Sequence, residues 1–304
     1  MVPRKRLAQI EWWPIDRLVG GYLVLFALVI WMFRTRLPDA PWLLAAHAAG
    51  LLLIAAAALS DSRAASVFRH WYPLPYVSAC YKEMALLIPA VRGVDYDAQL
   101  AALDYRLWGV HPTVWLERLE SRWLTEILQA GYSLFVPAVL LVAFLLWRRG
   151  RCQEFRQYAF LIALGFLVSY VGYLLAPARG PRFLLADLQR TRLEGLWAFE
   201  WLQRTLDQLE SAHYDCFPSG HTELTILACW GARGISHRLH YAYVAYTLSI
   251  FFATVYLRYH YTVDVAAGIV VAAGLIAAAP SLYKLLGAKD WESWKLFRFM
   301  AGRN

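Results

Sequence analysis

The chain has 304 residues, 60% of them hydrophobic and only 17% charged, with a formal net charge of +8 and a mean hydropathy of +0.40. Several apolar runs reach the ~20 residues that cross a bilayer, which excludes an ordinary soluble domain and predicts an all-α, polytopic membrane protein. The basic balance does not indicate nucleic acid: no recognition motif is present, and basic loops resting on anionic lipid account for it.

In chain order, Arg4-Lys5-Arg6 comes first, separated by polar residues and Pro14 from the apolar run that follows. No small-residue cleavage site is evident, so this reads as the flank of a retained helix rather than a signal peptide. Spans are predicted over about 18–33, 42–60, 71–91, 123–147, 157–176, 219–236, 241–257 and 264–283; Pro73, Pro75, Lys82 and Glu83 interrupt the third. Arg63, Arg69, the group Arg148, Arg149, Arg151 and Arg156, then Arg233, Arg238, Lys284, Lys289, Lys295 and Arg298 all fall on one side if both termini are cytoplasmic and the third span is real, as basic loops do. Residues 92–122, with Trp108, Trp115 and the adjoining Trp123, read as an amphipathic helix in the headgroup layer. Residues 177–217 hold an arginine-rich run and then a helical stretch around 193–211. The expected organisation is a two-helix N-terminal unit (1–70), a six-helix catalytic core (71–283) and a cytoplasmic tail (284–304).

Two short stretches carry the chemistry: Phe217-Pro218-Ser219-Gly220-His221-Thr222 and His260-Tyr261-Thr262-Val263-Asp264. Each opens a long apolar segment. From His221 the chain runs roughly 20 residues inward, turns, and returns over roughly 20 more, so His221 and His260 are expected on one face of the bilayer. Pro218 suits the first turn of a helix. Ser219, Gly220 and His221 then present backbone N–H groups and the positive end of the helix dipole, a site for an anion. Asp264 lies four residues after His260, on the same side of a helix. A neutral imidazole attacks phosphorus best when a carboxylate stabilises the cation that forms, which fits His260 with Asp264. A second histidine, His221, is the natural proton donor to the leaving oxygen. Arg179, Arg182, Ser219 and Gly220 are candidates to hold the phosphoryl oxygens. No metal or cofactor is required.

The PSGH and HYTVD stretches resemble the second and third signature motifs of the type 2 phosphatidic acid phosphatase superfamily. The resemblance implies a six-helix membrane core, metal-free catalysis and a phosphohistidine intermediate, with His260 as nucleophile, Asp264 as its partner and His221 as acid. Two departures stand out. The first family motif, K-x6-R-P, has Gly172 at the lysine position, and the arginine position of the third, S-R-x5-H-x3-D, holds Thr254. The HYTVD wording is similar instead to the sphingomyelin synthase and inositol phosphorylceramide synthase branch. The leading expectation is a lipid phosphatase acting on a phosphomonoester or pyrophosphate headgroup at the non-cytoplasmic face. The alternative is transfer of a phospho-headgroup to a lipid alcohol such as ceramide or diacylglycerol. Phosphatidic acid, phosphatidylglycerophosphate, polyprenyl pyrophosphate and sphingolipid headgroups all fit these residues.

The remaining polar residues have blander readings. Arg258, two residues from His260, points away on a regular helix and snorkels. Lys82 and Glu83 are expected to pair with neighbouring helices, a substrate contact being the minority view. Glu223 complements the helix dipole, although a second acid there could serve an acceptor hydroxyl. His47, His70, His111, His213, His237 and His240 show no partner pattern, and the 14 tryptophans read as interface belts. Cys80, Cys152, Cys216 and Cys229 lack CxxC or zinc-type spacing, and a disulfide framework is not expected. Cys216 adjoins the PSGH stretch and can affect that site. A transporter or lipid-binding protein on the same scaffold is the competing class, supported only by Lys82 and Glu83.

Overall fold

In a computed structural model of the protein, residues 11–209 and 214–288 are described; Arg4, Lys5, Arg6, His213, Lys289, Lys295 and Arg298 lie outside them. The described residues are all-α, with no strand and one isolated bridge between Ala178 and Asp215. The N-terminal helices are α1 (Pro14–Met32), α2 (Ala40–Leu59) and the short α3 (Arg63–Trp71), followed by α4 (Pro73–Val91). The predicted interfacial helix is two helices, α5 (Asp97–Trp108) and the single turn α6 (Pro112–Trp115). They are parted at Gly109, whose φ of 70° suits glycine. The predicted fourth span is also two helices, α7 (Arg122–Ser133) and α8 (Phe135–Arg148), bent by 46° at Leu134. Then come α9 (Cys152–Leu175), the one-turn α10 (Pro181–Leu184), α11 (Phe199–Leu209), α12 (Gly220–Arg233), α13 (His237–Tyr256) and α14 (Thr262–Leu285).

All eight predicted spans are helical, but they are not equal. By length and composition α1, α2, α9 and α14 can each cross a membrane, and the α7–α8 pair makes a fifth if taken as one span. The fourteen residues of α12 reach only about 21 Å at 1.5 Å per residue, short of the ~30 Å hydrocarbon layer. Helices α4 and α13 are long enough but too polar. Length and composition alone therefore mark four or five crossings, and they leave α4, α12 and α13 as helices of the same bundle.

Helix α12 is short and central. It packs against α8, α9, α13 and α14, while α9 also packs against α1 and α4. Phe155, Tyr158, Phe160, Leu161 and Ile162 on successive faces of α9 are all buried. Leu25 and Leu28 on α1, Leu52 and Leu53 on α2, and Leu141 and Phe144 on α8 are exposed large apolar side chains, the surface a membrane helix turns to lipid. Val19, Leu23, Phe26 and Ile30 of α1 belong to the same buried cluster as α4, α9 and α12. The N-terminal helices are part of one core.

Candidate active site

Three chain segments are stitched together by their backbones at one end of the bundle. Cys216 N–H donates to Ala178 C=O at 3.0 Å, Arg182 N–H to Arg258 C=O at 3.1 Å, and Ser219 N–H to Asp264 C=O at 3.1 Å. The arginine loop, the PSGH turn and the HYTVD turn thus form one unit. Gly180 sits in it with φ 101°, and a Cβ there would lie 2.6 Å from the Tyr259 carbonyl oxygen. Only glycine permits both.

Helix α5 ties the unit down. Asp97 accepts from Arg179 N–H (2.6 Å), Gly180 N–H (2.7 Å) and Tyr261 O–H (2.9 Å). Asp104 accepts from Thr262 N–H (2.9 Å), Thr262 O–H (2.7 Å) and Val263 N–H (3.0 Å), so it caps α14 from another helix. Leu103, Leu107 and Trp108 on the same helix are exposed. The outer face of α5 is thus apolar, and its inner face, with Asp97, Leu100, Ala101 and Asp104, packs on the site.

His260 is 4% exposed. Its Nδ1 lies 2.8 Å from Cys216 C=O. A carbonyl only accepts, so Nδ1 carries the proton and Nε2 keeps its lone pair. Asp264 is fully buried, with Oδ2 3.6 Å from His260 Nδ1. That oxygen accepts from Tyr261 N–H (2.8 Å) and the Cys216 thiol (2.8 Å). The imidazole is oriented by a backbone carbonyl, with the carboxylate one contact further away. Cys216 thus enters the site directly, and burial, then the Asp264 charge, push its thiol well above the ordinary range, leaving it a neutral donor. Cys216, His260 and Asp264 place three ligand-type atoms within 4.8 Å of one another; their mutual hydrogen bonds account for that compactness.

His221, in the first turn of α12, faces His260 with ring centroids 5.9 Å apart. It stacks on Tyr132 at 4.2 Å, and Tyr132 stacks in turn on Tyr259 at 4.6 Å. Tyr132 Oη is 3.2 Å from His221 Nδ1. Ser219, not Pro218, caps the helix, its Oγ accepting from Thr222 N–H at 3.3 Å. Pro218 lies before the cap, where a Cβ on Gly172 would meet its ring at 2.5 Å. A lysine at position 172 has no room. Ser219 N–H is spent on Asp264 and Thr222 N–H on Ser219 Oγ, so the Gly220 and His221 amides are those that helix geometry leaves for an anion.

The arginines divide. Arg182 pairs with Asp207 at 2.7 Å and lies over the Phe183 and Tyr259 rings. Burial opposes its charge, but the Asp207 hydrogen bond and charge outweigh that and raise its pKa. Arg179 is exposed, 4.4 Å over Phe183. Arg258 has φ 66°, turns away from the histidines, and binds Gln189 (3.0 Å), Glu117 (3.0 Å) and Thr191 C=O (2.9 Å). It is a buried strut rather than a snorkelling side chain. Glu223 is fully buried and takes a 2.6 Å bond from Ser169 of α9.

A cavity of about 200 Å³ opens beside His221, with Phe135, Val136, Phe166, Leu224, Tyr81 and Asp215 in its wall. Val136, at its rim, is 42% exposed. The bend between α7 and α8 makes room for it. Asp215 had no sequence signal beyond adjacency to Cys216. Burial pushes its carboxyl above the usual range, against the Tyr81 hydrogen bond and the nearby charges of His260 and Arg182.

This helical membrane fold brings together two imidazoles, one in the first turn of α12 and one just before α14, and the comparisons agree with it. The family model described as the PAP2 superfamily matches residues 98–278, and the chain belongs to that superfamily. No curated protein and no solved structure matches the chain.

Proposed function

We propose that the protein is a metal-independent lipid phosphatase that cleaves a phosphomonoester or pyrophosphate headgroup through phospho-His260. Membership of a superfamily of phosphatases and phosphotransferases supports the enzyme class. The observation that carries the reaction is the 5.9 Å separation of the His221 and His260 rings. At that separation both imidazoles can reach one headgroup, one offering a nitrogen to phosphorus and the other a proton to the leaving oxygen.

In the first step His260 Nε2 attacks phosphorus, the P–O bond to the lipid breaks, and His221 gives its proton to the leaving oxygen. Cys216 C=O holds the Nδ1 proton, and Asp264 offsets the imidazolium charge, its 3.6 Å contact tightening as the cation forms. In the second step water attacks the phosphohistidine, its proton returns to His221, and phosphate leaves. Arg179, Arg182 and the Gly220 amide, with Ser219 fixing the turn, hold the phosphoryl oxygens. The basic loops support cytoplasmic termini and a site at the opposite face. The Val136 rim supports lateral entry of the lipid.

Transfer to a lipid alcohol is the second reading. The largely apolar cavity beside His221 favours it, because that is where an acceptor must lie; the HYTVD likeness to the sphingomyelin synthase branch agrees. The test is a ³²P-headgroup lipid panel given to purified protein, with and without diacylglycerol or ceramide. Acid-labile label on the protein, absent in His260→Ala, is the expected result. Turnover without label would sink the phosphohistidine, and a transporter or binding protein would tolerate His260→Ala.

A further inference from the structure

The cavity beside His221 contains a carboxylate that the reaction above leaves unused. Its wall is largely apolar, and Asp215 is the carboxylate in it, among the hydroxyls of Ser78, Tyr81, Ser133, Tyr170 and Tyr173. Tyr81 O–H donates to Asp215 Oδ2 at 2.5 Å. The other acid near His221, Glu223, does not line this cavity and is engaged by Ser169. A carboxylate in apolar surroundings is costly unless hydrogen bonds satisfy it. Tyr81, a backbone N–H and the nearby His260 and Arg182 offset part of that cost, and a carboxylate, with about four lone-pair sites, keeps acceptor capacity toward the cavity. Asp215 is also rigidly placed: it pairs with Ala178 through the isolated bridge and directly precedes Cys216, whose carbonyl orients His260.

We infer that Asp215, buttressed by Tyr81, is a recognition subsite for a second hydrogen-bond donor on the lipid alcohol, close to the reacting oxygen. The class selected is a vicinal diol or similar donor-bearing alcohol rather than one whose neighbouring position is blocked. This rests on the reading that His221 faces the alcohol oxygen, and it holds whether that alcohol leaves or accepts. An apolar cavity alone discriminates weakly between alcohols, whereas an acceptor whose cavity-facing lone pairs the wrong alcohol leaves unmatched discriminates strongly.

The test is binding, independent of turnover. The full chain in phosphatidylcholine nanodiscs is titrated with a 1-O-alkylglycerol, with its 2-O-methyl ether, and with the 2-deoxy analogue, which lacks the second donor without added bulk and should bind like the ether. The unaltered protein should bind the diol about tenfold or more tightly than the ether. The ratio should fall to about one in Asp215→Leu and to an intermediate value in Asp215→Asn, which keeps an acceptor but not the charge. Equal binding of diol and ether by the unaltered protein overturns the subsite whether or not the variants fold. So does an unchanged ratio in folded Asp215→Leu. Failure of the phosphohistidine reading is distinct: His260 stays unlabelled by the ³²P lipid while the diol preference persists.

Discussion

Cys216 shows how much of a site is set by contacts that the motif letters do not contain. Its carbonyl fixes the His260 tautomer and its thiol donates to the Asp264 oxygen that faces His260. Cys216→Ala keeps the carbonyl and removes the thiol, leaving the buried Asp264 one donor short. The expected result is a roughly tenfold fall in kcat, about 1.4 kcal/mol, with KM little changed; Cys216→Ser, which restores a donor, should recover most of it. Equal losses in both variants would mean the thiol acts by packing alone. His221, His260 and Asp264 were legible because their residue types and spacing suit phosphoryl transfer and both stretches open apolar segments. Asp97, Asp104 and Asp215 were not. Asp97 and Asp104 meet their partners 82 and 158 residues away, and no local pattern encodes such a meeting. The Gly172 departure from the family motif acquires a physical reason in the Pro218 ring packed against it.

At the scale of elements, the helices were legible from apolarity and their relations were not. Apolarity marked eight segments, yet it cannot tell a central helix such as α12 from one that faces lipid, because both are rich in small and aliphatic residues. The 92–122 segment reads as an amphipathic cover, and its aromatic and leucine side chains justify that. Its acids are what make it part of the site. Asp104 satisfies two backbone amides and the Thr262 hydroxyl at the start of α14. Asp104→Ala should cost about 1–2 kcal/mol, as loss of a helix cap does, and lower Tm by a few degrees. Because Asp264 lies in that first turn, kcat should fall as well. Asp104→Asn should retain most of both, since its carbonyl still accepts. Thermal unfolding and steady-state kinetics on the same preparations check this, and a stability loss with kcat intact would show that α14 does not need the cap to place Asp264.

For the whole molecule, the question is whether the N-terminal helices serve the chemistry or only the fold. Lys82 is exposed, while Glu83 is buried among them. Glu83 accepts from Tyr22 O–H of α1 at 2.5 Å and pairs with His47 Nε2 of α2 at 2.8 Å, and His47 Nδ1 donates to Leu23 C=O at 2.9 Å. His47 therefore has the partner that its sequence surroundings did not reveal. With Nδ1 committed to a carbonyl, Nε2 and Glu83 share a single proton, so the pair is neutral in total and needs no ion from outside. A cluster closed in this way suits a clamp holding α1 and α2 to α4 better than a transport relay, which needs a group that exchanges protons with water. Glu83→Ala should destabilise the protein by about 3–5 kcal/mol, because it strands two buried polar partners. The joint replacement Tyr22→Phe, His47→Leu and Glu83→Met removes the whole cluster and leaves apolar surfaces in contact. It should lie much closer to the unaltered protein in Tm, since buried polar groups replaced together by apolar ones cost little. Turnover per folded molecule should be unchanged in that triple variant. A folded triple variant without turnover would show that the cluster takes part in function, and would return Glu83 to the role of a working intramembrane acid.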